Sequence, residues 1–299
     1  MRDNGQLIER NSNQNMPNFA KATLGKHKPV LLHESISALD LGPGEIFVDA
    51  TYGSGGHSRE VKRLYPQVEI IPIDRDPKVG VTTANFRDLD KVLTKKVDGI
   101  LFDLGFSSDQ LAPPELDGVK RGVPGLSFQR DEPLDMRLSR LGPTAADILN
   151  SWDEEAIELI LRGFGEERGS RKIAHEIVAR REKNPFVTTF DLVKVLGPRR
   201  GKIHPATKTF QALRIAVNEE LTALEIGLEK AFAFLKPGGR LVVISFHSLE
   251  DRIVKNFFRD KVKEGAAKRI NKKPIVPSDE ERETNPRSRS AKLRVLEKI

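Results

Sequence analysis

A short apolar run that ends in an acid and breaks into a glycine-rich turn constrains this chain more than any other segment. Ile46-Phe47-Val48 has the character of a buried strand and Asp49 ends it. Gly53, Gly55 and Gly56 then turn the chain through His57 and Ser58 into a helical pattern. Glycine has no Cβ, so such a turn can be sharp and can approach a ligand closely. The helix that follows points its N-terminal N–H groups at whatever binds there. About twenty residues further on, Ile70-Ile71-Pro72-Ile73 ends in Asp74, the place from which an acid grips ribose hydroxyls in doubly wound α/β folds. The combination reads as a nucleoside site.

Further strand-like runs at Gly99–Asp103 and Arg240–Ser245 alternate with helical patterns, as expected of a parallel sheet that binds ligands at the carboxyl ends of its strands. Between Leu111 and Ile203 no buried strand stands out. Amphipathic helical stretches occupy Thr144–Leu149, Asp153–Leu161, Ser170–Arg181 and Thr189–Leu196, with capping signals at Ser151 with Glu154 and at Thr189. The expected organisation is a disordered polar tail (1–25), a first part of an α/β core (26–111), an inserted helical domain (112–203), and a second part of the core with a basic C-terminal tail (204–299). One long helix, Thr207–Leu235, is expected to lead through Pro237-Gly238-Gly239 into the strand at Arg240. Ala291–Leu296 alternates as a final strand would.

The absence of cysteine excludes disulfides, iron–sulfur clusters and zinc thiolate sites. His57, His175 and His204 are scattered, so no metal site is expected. No apolar run approaches bilayer-spanning length and the N-terminal segment lacks a signal-like core, so a cytoplasmic protein without a membrane partner is expected. The net charge of +7 favours a polyanionic partner, because the basic residues crowd into Arg162–Lys183, Lys194–Lys208 and Lys261–Lys298.

The turn order Gly53-Ser54-Gly55-Gly56-His57-Ser58 lacks the third small residue of a dinucleotide fingerprint. Acids at neighbouring strand ends suit a nucleoside that carries cations, as S-adenosylmethionine does with its ammonium and sulfonium. Asp103 opens Asp103-Leu104-Gly105-Phe106-Ser107-Ser108-Asp109-Gln110 at a strand end, facing cofactor and substrate or capping a helix. Ser245-Phe246-His247-Ser248-Leu249-Glu250 follows the last core strand, with no G-x-S-x-G elbow to support a serine hydrolase.

Eight strings in order, among them DATYGSGGHS (49–58), IDRDP (73–77), DLGFSSDQL (103–111), SFQRDEPLDMRL (127–138), HPATKTFQALRIAVNEEL (204–221) and GGRLVVISFHSLEDRIVK (238–255), resemble the ribosomal small-subunit RNA (cytosine-N4)-methyltransferase family, RsmH or MraW. The resemblance covers about residues 26–298. It implies a class I methyltransferase core of Rossmann-like type with an inserted α-helical domain that helps hold RNA, and S-adenosylmethionine as methyl donor. The implied substrate is a decoding-region cytidine of 16S ribosomal RNA, methylated on N4 within the small subunit. A second copy of the chain is a candidate partner. Carried across, the cofactor residues are Gly55, Gly56, His57, Asp74, Phe86, Asp103 and Gln110.

For catalysis, direct displacement needs positioning and an acceptor for an amino hydrogen, so Asp103, Ser245 and His247 are the candidates. The interval between Asp74 and Phe86 is shorter than a full crossover helix and strand require, so the sheet can lack an edge strand there. That shortening motivates an alternative reading: an RNA-binding ribosome assembly factor with weakened or lost methyltransferase activity.

Overall fold

The computed structural model describes residues 28–105, 108–111, 115–116, 119–120, 122–139, 141–198 and 204–299. The expected tail over 1–25 lies outside the described residues. The main sheet contains β1 (Ile46–Asp49), β2 (Glu69–Asp74), β3 (Thr82–Thr83), β4 (Val97–Asp103), β7 (Leu235–Ser245), β8 (Ala267–Arg269) and β9 (Lys292–Lys298). A separate antiparallel hairpin pairs β5 (Glu115–Leu116) with β6 (Val119–Lys120).

The sheet order is β3-β2-β1-β4-β7-β9-β8, parallel from β3 to β7, with β9 antiparallel to both its neighbours. Counted along the chain within this sheet, the strands stand third, second, first, fourth, fifth, seventh, sixth. That is the class I methyltransferase arrangement. From β1 the chain winds outward through β2 and β3, then returns to place β4 on the other side of β1. The carboxyl ends of β1 and β4 therefore flank a switch point, where a crevice opens.

The strands are continuous apolar runs because helices cover both faces of the sheet. Side chains alternate along each strand. Phe47, Leu101, Val242 and Ile244 pack with Ile36 and Leu39 of α1 (Leu32–Leu39) and Val61 of α2 (Gly56–Leu64). Val48, Ile100, Phe102, Leu241 and Val243 face the other way. They meet Leu89 of α3 (Leu89–Val92), Leu224 and Leu228 of α10 (Glu220–Phe234), and Val254 and Phe258 of α11 (Ser248–Lys263). Two short helices, α4 (Ser108–Leu111) and α12 (Asp279–Thr284), lie in the connections.

The edge strand that chain length made dispensable is present. A 3-10 turn, Pro77–Val79, replaces the crossover helix, with the Asp76 carboxylate accepting from the Lys78 N–H. β3 then pairs only with Ile73 and Asp74, the last residues of β2, so the chain has no long return to make.

The expected helix over Thr207–Leu235 is two helices, α9 (Ala206–Asn218) and α10, broken at Glu219 with φ 49°. The Asn218 side chain fixes the break, donating to the Met136 and Arg214 carbonyls and accepting from Leu138 N–H. Lys236–Gly239 is a bulge inside β7 instead of a turn before it.

The helical insert forms α5 (Ala145–Ser151), α6 (Glu154–Gly165), α7 (Ser170–Arg181) and α8 (Thr189–Leu196), capped by Thr144, Asp153 and Thr188 in place of the expected Ser151 and Thr189. Its core joins Leu134, Ile148, Leu161, Ile177 and Leu192 to Phe210 and Leu213 of α9. By packing, the helical unit thus extends beyond residue 203 to take in α9.

Phe86 starts a second 3-10 turn, Phe86–Asp88, and its ring lies 5.0 Å from that of Phe102. A Cβ at Gly227 of α10 would come within 2.6 Å of the Phe86 ring. Gly227→Ala should therefore destabilise the fold by about 1–2 kcal/mol, overpacking exceeding the gain in helix propensity. Urea unfolding checks this; a variant as stable as the parent would show that Phe86 is not pinned by α10.

Candidate functional site

Two adjoining clefts open at the carboxyl ends of β1 and β4. The inner one, about 740 Å³, is lined by Asp74, Ala84, Phe86, Gln110, Glu220 and Leu224 among others. The outer one, about 1050 Å³, is lined by Tyr52, His57, Gln211, Arg214, Phe246 and His247 among others. Thr51, Gly53, Asp103, Leu104, Gly105 and Glu250 border both. Asp103 thus stands at a wall common to the two spaces.

The sheet puts it there. Asp103 ends β4 beside β1, and its N–H donates to Thr51 Oγ1 at 2.6 Å, tying the two strand ends together. Its Oδ1 is buried and accepts no hydrogen bond from the described residues. Burial pushes the carboxyl up to about 7, with the Glu250 charge adding to the shift and the Gly105 N–H opposing it.

Behind Asp103 lies His57, whose Nδ1 is 3.8 Å from Asp103 Oδ2. His57 Nε2 is 3.2 Å from the Val30 carbonyl, which can only accept, so the ring proton sits on Nε2 and Nδ1 presents a lone pair to Asp103. Burial lowers the His57 pKa and favours the neutral ring.

Asp49 is buried deeper and lines neither cleft. Ser58 Oγ donates to it at 2.6 Å. Burial raises it to about 6, against the pull of His57 and Ser58. The acid that ends β1 therefore acts from beneath the site.

The glycine turn serves the protein itself more than sequence reading indicated. A Cβ at Gly55 (φ 73°) would strike the Tyr52 ring at 2.4 Å, and one at Gly56 would strike Pro29 at 2.1 Å. Gly56 and His57 border the outer cleft, whereas Gly55 borders neither. Gly53 reaches both, and its N–H donates to Asp74 Oδ2 at 2.7 Å. The other Asp74 oxygen accepts from Asp76 N–H at 2.8 Å. Burial raises the Asp74 pKa, and these two N–H groups oppose the rise.

Of the three catalytic candidates, Asp103 and His247 border the clefts and Ser245 does not. The Ser245 side chain is buried and donates to the Lys292 carbonyl of β9 at 3.4 Å. The alternation of β7 turns it away from the crevice, which sequence position alone does not reveal. His247 caps α11, its Nδ1 accepting from Glu250 N–H at 3.4 Å while the Glu250 carboxylate accepts from His247 N–H. The capping box is thus His247 with Glu250. It leaves Nε2 protonated, buried and without an aligned acceptor, although Glu250 Oε1 is 3.2 Å away.

Sequence reasoning did not single out Thr51, Arg214, Glu220 or Glu250 as site residues. Glu220, His247 and Glu250 bring donor atoms within 4.8 Å of one another. Arg214 grips Glu220 through Nε and Nη2 at 3.0–3.2 Å, and backbone N–H groups of Phe246 and His247 engage Glu250. These carboxylates are thus met by a guanidinium and a helix cap, not arranged as an open cation cage. Among the described residues no helix is long and apolar enough to cross a membrane.

The profile of the MraW methylase family matches residues 25–299. A Caulobacter vibrioides protein named ribosomal RNA small subunit methyltransferase H is 46% identical, over 90% of this chain and 94% of its own. Proteins of the same name from Carboxydothermus hydrogenoformans (43% identical, 91% of this chain and 98% of theirs) and Caldicellulosiruptor saccharolyticus (44%, 92% and 99%) are similarly close. Among solved structures, a Streptococcus mutans putative methyltransferase in complex with SAH aligns with TM-score 0.41 at 11% identity, over 91% of this chain and 100% of that one. The motifs, the sheet order and the match along nearly the whole chain agree: this chain belongs to the MraW methylase family.

Proposed function

We propose that the protein transfers the methyl group of S-adenosylmethionine to the N4 amino group of a decoding-region cytidine of 16S ribosomal RNA in the small subunit. The names of its relatives support small-subunit ribosomal RNA as the substrate, the resemblance of its motifs supports the cytidine, and the chemistry of the two clefts supports the reaction. The inner cleft fits the cofactor by its donor set: Phe86, Ala84 and Leu224 offer an apolar wall for a purine, Asp74 offers a carboxylate for hydroxyls, and Asp103 has a buried oxygen without a donor. Bound there, S-adenosylmethionine supplies a methyl carbon made electrophilic by its sulfonium.

The cytosine amine is a poor nucleophile because its lone pair is delocalised into the ring. Asp103, at the wall shared by both clefts, is the observation that carries the reading. As a carboxylate it accepts a hydrogen of the attacking amine, localises the lone pair and offsets the positive charge that develops on nitrogen. As transfer completes, the amine loses that proton to Asp103, with the neutral His57 ring 3.8 Å from its other oxygen. No thiol nucleophile is required, consistent with a chain that has no cysteine. His247, with its proton held on Nε2, orients the base from the outer cleft. A non-catalytic assembly factor was motivated by the short interval after Asp74; that motive weakens because Phe86 borders the inner cleft after all.

Methyl transfer from labelled cofactor to small subunits that lack the modification, followed by nucleoside analysis, should yield N4-methylcytidine; label on another base or another cytosine atom would refute the assignment. Asp103→Asn should lower kcat by about 10²–10⁴-fold at saturating cofactor, the usual range for losing a positioned proton acceptor. Undiminished turnover in that variant would remove Asp103 from the chemistry. Because burial raises this carboxyl to about 7, its reactive anionic form is lost as pH falls through that value. Single-turnover rates should therefore rise with pH up to about 7 and level off above it, and the inflection should vanish in the Asn variant. A parent profile flat from pH 5.5 to about 8.5 would contradict this role.

A further inference from the structure

The turn between α6 and α7 carries a groove of about 640 Å³ that is separate from the two clefts and lined by Glu158, Arg162, Arg168, Ser170 and Arg171. Its one acid is already engaged. Glu158 Oε1 accepts from Arg162 Nε at 3.0 Å and from Ser170 Oγ at 2.8 Å. Glu158 is largely covered while Arg162 is exposed, so the carboxylate sits beneath and steadies the guanidinium above it. Arg168 and Arg171 are both exposed and make no hydrogen bond or ion pair with any described residue. Elsewhere Arg180, Arg240, Arg252 and Arg294 are each held by a carboxylate. The groove therefore holds two guanidinium groups, those of Arg168 and Arg171, whose charge the described residues leave unanswered, beside a third that Glu158 pairs.

Its placement gives that charge a use. Glu166, in the left-handed conformation at the end of α6, turns the chain toward the groove. The turn is fastened to the rim of the outer cleft. Gln211 Nε2 donates to the Phe164 carbonyl at 3.1 Å and Lys208 Nζ to the Glu166 carbonyl at 2.9 Å. Ser248 Oγ and Arg252 Nη2 donate to the Glu166 carboxylate at 2.6 and 2.9 Å. Gln211 itself lines the outer cleft, and Ser248 follows His247 of the same cleft. The turn that leads to Arg168 is thus tied to residues of the outer cleft and its rim.

We infer that this groove binds the sugar-phosphate backbone of the substrate RNA next to the target nucleotide, with Arg168 and Arg171 each engaging a phosphate and Arg162 held ready by Glu158. The inference rests on an RNA substrate but not on which atom is methylated. A base that leaves its stack to reach a pocket requires the flanking backbone to be held, and planar guanidinium forks match phosphate oxygens. Aromatic stacking surfaces are absent from the groove lining, which favours backbone contact over base recognition.

The test is equilibrium binding of the full-length protein to unmodified small subunits across a salt series, for the parent, Arg168→Ala/Arg171→Ala and Arg168→Lys/Arg171→Lys. Both positions are exposed, so folding should be unaffected, and cofactor affinity measured by calorimetry should match the parent. The Ala pair should weaken binding roughly 10- to 50-fold near 0.1 M salt and flatten the slope of log K against log salt by about 1.5. The Lys pair should restore the slope and much of the affinity. Unchanged affinity and slope in the Ala pair would overturn the proposal, as would a loss that the Lys pair fails to rescue. Because the readout is binding, a parent that binds subunits without forming N4-methylcytidine would count against the proposed reaction and leave the groove intact.

Discussion

A carboxylate at the end of β4 with one oxygen held out of water is the constraint on which the rest of the site depends. A buried charge is unfavourable unless something of opposite sign meets it. Asp103 has no such partner among the described residues and keeps one oxygen without a hydrogen-bond donor. It holds this position because the sheet leaves little freedom: β4 is buried between β1 and β7, and Thr51 clasps the Asp103 N–H. A site of this kind favours a cation more strongly than an exposed carboxylate could, since low polarity strengthens the attraction.

The surrounding groups share the work by depth. Asp49 lies behind the wall and His57 borders the outer cleft, their ionisation set by burial and by each other. Asp74 and Phe86 border the inner cleft, one already bonded to backbone N–H groups and the other braced against Phe102 and Gly227. Glu220 and Glu250 are drawn in from helix starts and are met by Arg214 and by a cap. The helical insert is coupled to this arrangement through Asn218, which breaks the α9–α10 run, and through Glu166, which docks on α11. Movement of the insert would therefore be felt at the rim of the outer cleft.

Much of the fold was legible in the chain because burial leaves a mark on composition. Strands covered on both faces must be continuously apolar, so β1, β4 and most of β7 announce themselves. The insert helices show their period, and three of the four end within two residues of where expected, while α6 runs a further turn to Gly165. Less was legible where a few residues decide the geometry. The break at Glu219 depends on Asn218 finding carbonyls far away in sequence. The two-residue edge strand depends on a 3-10 turn too short to leave a periodic pattern.

The same division runs through the site. The sequence by itself determined a nucleoside crevice at the end of β1, acids at neighbouring strand ends, and a family resemblance that brought Phe86 and Gln110 to attention, because local patterns and rare strings are properties of adjacent residues. Only the tertiary structure decided that Asp103 stands between two clefts, that Asp49 lies beneath them, that Ser245 faces β9, and that Gly55 and Gly56 make room for Tyr52 and Pro29. It also gathered Glu220 and Glu250 into the site and set Arg168 and Arg171 near its rim. Those outcomes turn on which way a side chain points and which remote segment packs against it, and both are settled only when the sheet and its helices close around a common core.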